Sequence, residues 1–257
     1  MKVISFSNFK GGVGKSSSCL CVGFSLVEKG YKVLMIDADA QSNLSISLGL
    51  EKNTDNHFGS FVLGEKELSM VTLKISDNLH IIPSSVKAQV YERMLGAEND
   101  YQYFLKERLE NVNQYHYILI DTPPALNAFT YSALVASDYI FIPMQPEIFG
   151  VEGLVTITDI VTRLNKRSNP SLKIGGIFFT KYAKNYRKQL HRDLVEDLRS
   201  NYGQLIMDTS IRENISIAES QAMRQSIYEY APGSNGAKDY RKLTEEILTR
   251  VSNGQEV

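Results

Sequence analysis

Nine residues, Phe9-Lys10-Gly11-Gly12-Val13-Gly14-Lys15-Ser16-Ser17, restrict this 257-residue chain more than anything else in it. They stand between an apolar run, Val3-Ile4-Ser5-Phe6, and a helical pattern over Cys19 to Val27. Three glycines in four residues let a backbone wrap tightly with its N–H groups converging, and a helix N-terminus behind them adds a positive dipole end. That is a cradle for a polyphosphate, with Lys15 able to reach β- and γ-phosphates and the Ser16 hydroxyl able to ligate Mg²⁺. The common G-x-x-x-x-G-K-[ST] spacing fails, because Phe9 stands where its first glycine would be. The form that fits is K-G-G-x-G-K-[ST], which carries a second lysine, Lys10. Average residue usage makes a chance match to its six fixed positions on the order of 10⁻⁴ or less per chain.

The rest of the chain agrees with a strand-loop-helix unit repeated. Apolar runs at Val33–Ile36, Leu79–Ile82, Tyr117–Ile120, Tyr139–Ile142 and Ile174–Phe179 predict strands after the first. Helical patterns lie between them, notably over Tyr101–Val112, Val151–Leu164, Gln189–Arg199 and Ala237–Val251. Continuous apolar strands alternating with helices predict a single-domain α/β fold, a mostly parallel twisted sheet flanked by helices on both faces. Residues 1–252 are expected to form that domain and 253–257 a flexible tail, with 51–76 as loop and short helices.

Composition excludes several classes. The 28 basic and 29 acidic side chains give a net charge of −1, so an overall basic nucleic-acid binder is ruled out, although a local patch is not. Two cysteines, Cys19 and Cys21, cannot build a disulfide framework or a four-thiolate metal site. No apolar run reaches the roughly 18 residues needed to cross a bilayer, and no secretory leader is legible, so a cytoplasmic protein is expected.

Three aspartates sit at predicted strand ends: Asp37 and Asp39 after the second strand, Asp121 after the run at Tyr117–Ile120. Ligands of open α/β sheets bind beyond the carboxyl ends of the strands, which brings these carboxylates to the edge that carries the phosphate loop. Magnesium favours water, a hydroxyl and one or two carboxylates, which suits Ser16 and Asp121, with Asp37 expected beside the metal shell.

KGGVGKSS at 10–17, MIDADAQSNLSISLG at 35–49, YILIDTPPAL at 117–126, IPMQPEIFGVEGL at 142–154 and APGSNGAKDYRKLTEEI near the C-terminus carry a resemblance. Nearly end to end, the chain resembles the ParA/MinD group of deviant P-loop ATPases, and within it ParA-type DNA-partitioning proteins. The resemblance implies ATP and Mg²⁺ as cofactors, with Lys10, Gly11, Gly12, Val13, Gly14, Lys15, Ser16 and Ser17 holding the nucleotide. Lys10, Lys15 and Asp39 would be the catalytic set, Asp39 orienting the attacking water. Lys10 would cross the interface of an ATP-dependent homodimer to the partner's phosphates, beside Thr122-Pro123-Pro124 and the stretch Glu147 to Glu152. Many members read D-x-D-P-Q-G-N where this chain has Asp39-Ala40-Gln41-Ser42-Asn43, a change that leaves the carboxylates in place. Asn214 is either a ligand of the base or a helix cap, and Thr180 is a second candidate near the base.

The resemblance also implies non-specific DNA binding in the ATP state and a ParB-like centromere-binding partner, with nucleoid association. Lys181, Lys184, Arg187, Lys188 and Arg192, a run without acidic residues, are the expected DNA contacts, with Arg163, Lys166 and Arg167 upstream. A MinD-type membrane relative would need an amphipathic C-terminal helix, and the chain ends in polar residues instead. A positioning ATPase for a protein cargo, or a nucleotide-gated module with negligible turnover, would share the nucleotide motifs.

Overall fold

The computed structural model describes residues 1–183 and 189–252. Seven strands form one sheet: β1 (Lys2–Phe6), β2 (Val33–Asp37), β3 (Leu73–Ser76), β4 (Leu79–Ile82), β5 (Tyr117–Asp121), β6 (Tyr139–Met144) and β7 (Lys173–Phe179). Their order across the sheet is β3-β4-β2-β5-β1-β6-β7. Every neighbouring pair is parallel except β3 with β4. The six strands expected from the sequence are therefore present, and β3 is added where only loop and short helices were expected. The short helices are there too, at Phe58–Val62 and Leu68–Val71. The pattern over Tyr101–Val112 resolves into a 3₁₀ turn, Tyr101–Tyr103, and a helix, Phe104–Leu109.

Parallel strands need covered faces, and the buried residues divide accordingly. On one face Ile4, Phe6, Met35 and Leu119 pack with Leu20, Leu26, Tyr240 and Leu243 from helices Lys15–Glu28 and Asn235–Ser252. On the other, Ile36, Ile118 and Ile120 pack with Phe58, Leu105 and Phe129. Ile140, Ile142 and Phe179 meet Leu154, Ile157 and Val161 of helix Ile148–Arg167 in a third cluster.

Register is what matters for function. Phe6 pairs with Asp121, and Asp121 with Asp37, so β1, β5 and β2 end level. The chain leaves β1 for β2 on one side and β5 for β6 on the other, which opens a crevice at the carboxyl edge beside β1. The glycine-rich loop leaves β1 at that point.

Candidate functional site

Local physics shapes the loop. Gly12 has φ of 74° and Gly14 of 91°, left-handed values that cost an L side chain energy and a glycine little. A Cβ on Gly11 or Gly12 would meet nothing within 4 Å, so open space lies over the loop. Helix Lys15–Glu28 starts directly behind with Gly14 as its N-cap and no side-chain cap, leaving its first N–H groups facing that space. Two side chains hold the loop from behind. Gln145 Nε2 donates to the Gly12 carbonyl at 2.9 Å, and Thr180 Oγ1 donates to the Val13 carbonyl at 2.9 Å. With its carbonyls bonded away, the loop presents N–H groups to an anion, as a phosphate cradle must.

Lys15 is 7% exposed, and its ammonium donates to the Lys10 carbonyl at 3.2 Å. Burial lowers its pKa, against the opposing pull of Asp121 and Asp39. Beneath it Asp121 is fully buried with neither carboxylate oxygen in a well-formed hydrogen bond. Burial drives the Asp121 pKa well up, the Asp37 charge adds to the rise, and the Ser16 hydroxyl and Lys15 pull it down. Asp37 is also fully buried, but its oxygens are used: Ser45 donates from its backbone N at 2.8 Å and its hydroxyl at 2.6 Å, and the Asp39 N–H at 3.2 Å. Burial nonetheless raises its pKa to about 7. Asp37, expected beside the metal shell, is thus engaged in fixing the start of the segment that carries Asp39.

Asp39 itself lines a cavity of about 600 Å³ with Gly11, Gly12, Lys15, Ser16, Gln41 and Pro124. One of its oxygens accepts from the Gln41 N–H at 2.9 Å, which fixes the carboxylate at the wall. A second cavity of about 400 Å³ adjoins it, lined by Val13, Thr180, Ile211, Asn214, Ile217 and Tyr240 among others. Both walls include Gly12, Gly14, Ser17, Lys181 and Gln221, so the two form one trough. Its polar end suits phosphates and its apolar end a base.

Asn214, left by the sequence as a base ligand or a helix cap, is seen here as a cap on a cavity wall. Its Oδ1 accepts from the Ser216 N–H at 2.9 Å as the cap of helix Ile215–Ala222, and the residue lines the base end of the trough. Lys181, expected on a DNA surface, is exposed and lies on the wall of both cavities, in a left-handed conformation with φ of 52°. Lys184, Arg187 and Lys188 lie outside the described residues. Arg192 is exposed on helix Gln189–Tyr202, where it bonds Gln189.

Lys10 behaves differently from the rest of its loop. Neither cavity wall includes it, and its ammonium pairs with Glu147 at the surface, the two side chains being 27% and 44% exposed. The Lys10 contact holds the Glu147 carboxyl below its usual pKa. Sequence reasoning missed Gln145 and Gln221. Gln145 lies inside the stretch at 142–154 that carried the resemblance, and Gln221 lies seven residues after Asn214, on the same face of one helix.

The fit to magnesium can be judged from the donors. The described residues hold no group of three or more His, Cys, Asp and Glu able to bind a metal ion alone. A hydroxyl at Ser16 beside an unpartnered buried carboxylate at Asp121 instead matches an ion that takes the rest of its ligands from phosphates and water.

Such a loop, with these carboxylates at the same sheet edge, defines a phosphate-loop nucleotide-binding α/β protein. A family model described as an AAA domain matches residues 1–174. The chain is 35% identical over 251 residues to the chromosome-partitioning ATPase Soj of Treponema pallidum, covering 97% of this chain and 98% of that protein. It is 31% identical over 262 residues to the chromosome partitioning protein ParA of Caulobacter vibrioides, covering 99% and 97%. Among solved structures it is similar to cobyrinic acid a,c-diamide synthase from Mycobacterium smegmatis with bound ATP analog and magnesium, at TM-score 0.86 and 25% identity, covering 100% of this chain and 98% of that one. The chain belongs to the AAA-domain family that its residues match, and within it to the ParA/Soj partition ATPases. No helix among the described residues is long and apolar enough to cross a membrane.

Proposed function

We propose that this chain is a DNA-partition ATPase that closes into a homodimer around two Mg-ATP, binds DNA without sequence preference in that state, and is reset by slow hydrolysis. The observation that carries the reading is the split between the two lysines of one loop. Lys15 is buried in the trough of its own chain, whereas Lys10 sits off that trough at the surface, held by Glu147. A cation in that position is free to serve a second chain once the Glu147 pairing is exchanged for phosphate. An exposed ion pair is worth at most about 1 kcal/mol, so the exchange costs little.

Within each site the chain's residues divide the work. Loop N–H groups and Lys15 bind the β- and γ-phosphates and offset charge that grows on them in the transition state. Ser16 and Asp121 would hold Mg²⁺, which would supply positive charge to offset the charge that develops on the phosphates. Asp39, fixed through Gln41 and Asp37, orients the attacking water at the wall of the phosphate cavity. Pairing of chains excludes bulk water from the trough, which strengthens each of these electrostatic contacts.

A centromere-binding, ParB-like partner would stimulate the hydrolysis, and the protein would act in the cytoplasm on the nucleoid. Doubling the chain doubles its basic clusters. Arg163, Lys166 and Arg167 are exposed at the end of helix Ile148–Arg167 and Arg192 on the next helix, which supports phosphate contact without base readout. Unrelated duplexes should be retarded in a gel by the ATP-loaded protein and not by the ADP form, with retardation lost as salt rises; equal retardation in both states would contradict the reading. Lys10→Ala should leave ATP affinity of the monomer within about twofold, since the lysine lies off its own trough, while abolishing nucleotide-dependent pairing in sedimentation.

A further inference from the structure

The joint between base cavity and phosphate cavity is bridged by one side-chain contact. Gln221 Nε2 donates to Ser17 Oγ at 2.9 Å, and both residues line both cavities. Helix Ile215–Ala222 makes this possible. Asn214, Ala218 and Gln221 fall at i, i+4 and i+7, on one face, and all three line the base cavity. At 1.5 Å per residue, Gln221 lies about 10 Å along the axis from Asn214, two turns closer to the phosphate loop. The helix stops immediately beyond, where Arg224 turns left-handed with φ of 57°.

A serine hydroxyl has one proton to donate and two acceptor positions. With the Gln221 amide donating into an acceptor position, the Ser17 proton is turned away from Gln221 and into the joint. Among the described residues the Ser17 hydroxyl donates to no acceptor, so the proton is left for a ligand. The phosphate that reaches the joint follows from the order of the trough: Asn214 marks the base end, and Lys15 with Ser16 marks the end for β- and γ-phosphates.

Resting on the nucleotide reading above, we propose that Gln221 is a positioning residue that sets the Ser17 hydroxyl as a donor to the α-phosphate. It thereby couples helix Ile215–Ala222 to the seating of any adenine nucleotide, ATP and ADP alike, and contributes to affinity rather than to the hydrolytic step. A glutamine-to-glutamate change keeps the shape and reverses the polarity: a carboxylate would accept the Ser17 proton and withdraw it from the phosphate.

The test is equilibrium binding of ATP, ADP and the two diastereomers of adenosine 5′-O-(1-thiotriphosphate) to the full chain and to Gln221→Leu, Gln221→Glu, Ser17→Ala and the Leu/Ala double variant. Gln221→Leu should weaken ATP and ADP equally, by roughly three- to tenfold. The preference between sulfur diastereomers should fall toward unity in Gln221→Leu and Ser17→Ala, and the double variant should be no weaker than Ser17→Ala alone. Gln221→Glu should weaken both nucleotides more than Gln221→Leu does, and it reports the same point should the leucine variant fail to fold. Parental affinity and diastereomer preference in both Gln221 variants, or effects that add fully to Ser17→Ala, would overturn the assignment while leaving the nucleotide reading intact. A parental chain that binds no ATP would remove both.

Discussion

Lys15→Ala abolishes nucleotide binding at working concentrations: affinity for ATP falls by more than about a hundredfold in a titration followed by heat or by a fluorescent analogue. The size follows from burial. Lys15 is 7% exposed, and the carboxylates of Asp121 and Asp39 act on its charge at the phosphate end of the trough. Removing one partner from a buried charge group costs about 3–5 kcal/mol, because the charges left behind have no water to turn to. With the ammonium gone, the incoming polyphosphate would meet those carboxylates without a counter-charge from the chain. The Asp121 carboxyl, which Lys15 holds down against burial, would also move further up in pKa. A variant that binds ATP within a few-fold of the parent would remove Lys15 from the phosphate site and the trough from its assigned use.

Asp39→Ala does the opposite to the cycle: ATP still binds, and turnover falls by roughly 10²–10⁴, the contribution typical of a group positioned to handle the attacking nucleophile. Asp39 lines the phosphate cavity, and its carboxylate accepts a hydrogen bond from the Gln41 backbone N–H. Alanine therefore removes a negative charge from beside the phosphates without opening the loop. Phosphate release measured with saturating ATP is the readout, and hydrolysis at the parental rate would overturn the role given to Asp39.

The parts of this site that were legible in the sequence are those where a backbone constraint dictates residue type. Gly12 and Gly14 are left-handed, and the spacing around them announces a phosphate loop. The doubly covered strands read as unbroken apolar runs because both faces are buried, as in β2 and β5, where every residue is buried. β3 was not legible for the converse reason. Its four residues, Leu73–Ser76, are exposed or half-buried at the edge, and the pairing with β4 shifts register between Lys74 and Ser76. Helix Ala88–Ala97 escaped because Val90 and Met94 lie on its exposed face, which blurs the apolar stripe. Helix Ala128–Ala136 escaped because nearly every position is buried, so no 3.6-residue contrast remains.

Contacts between distant segments were the hardest to read. Lys181 looked like one member of a basic run, and only the end of β7 meeting the phosphate loop puts it on the trough wall. Asn214 looked like a choice between cap and ligand, and the structure shows the cap, at a residue that also lines the cavity. Asp37 looked like a metal neighbour, and Ser45 eight residues on takes up its carboxylate.

The central claim is that nucleotide joins two copies of this chain, each lending Lys10 to the other. The most direct measurement is the mass of Asp39→Ala in solution by light scattering, with ATP and with ADP, alone and combined with Lys10→Ala. The account predicts about twice the chain mass of 28.9 kDa with ATP, the single-chain mass with ADP, and the single-chain mass in both when Lys10 is also replaced. A single-chain mass for Asp39→Ala at saturating ATP, or a dimer indifferent to Lys10, would contradict it.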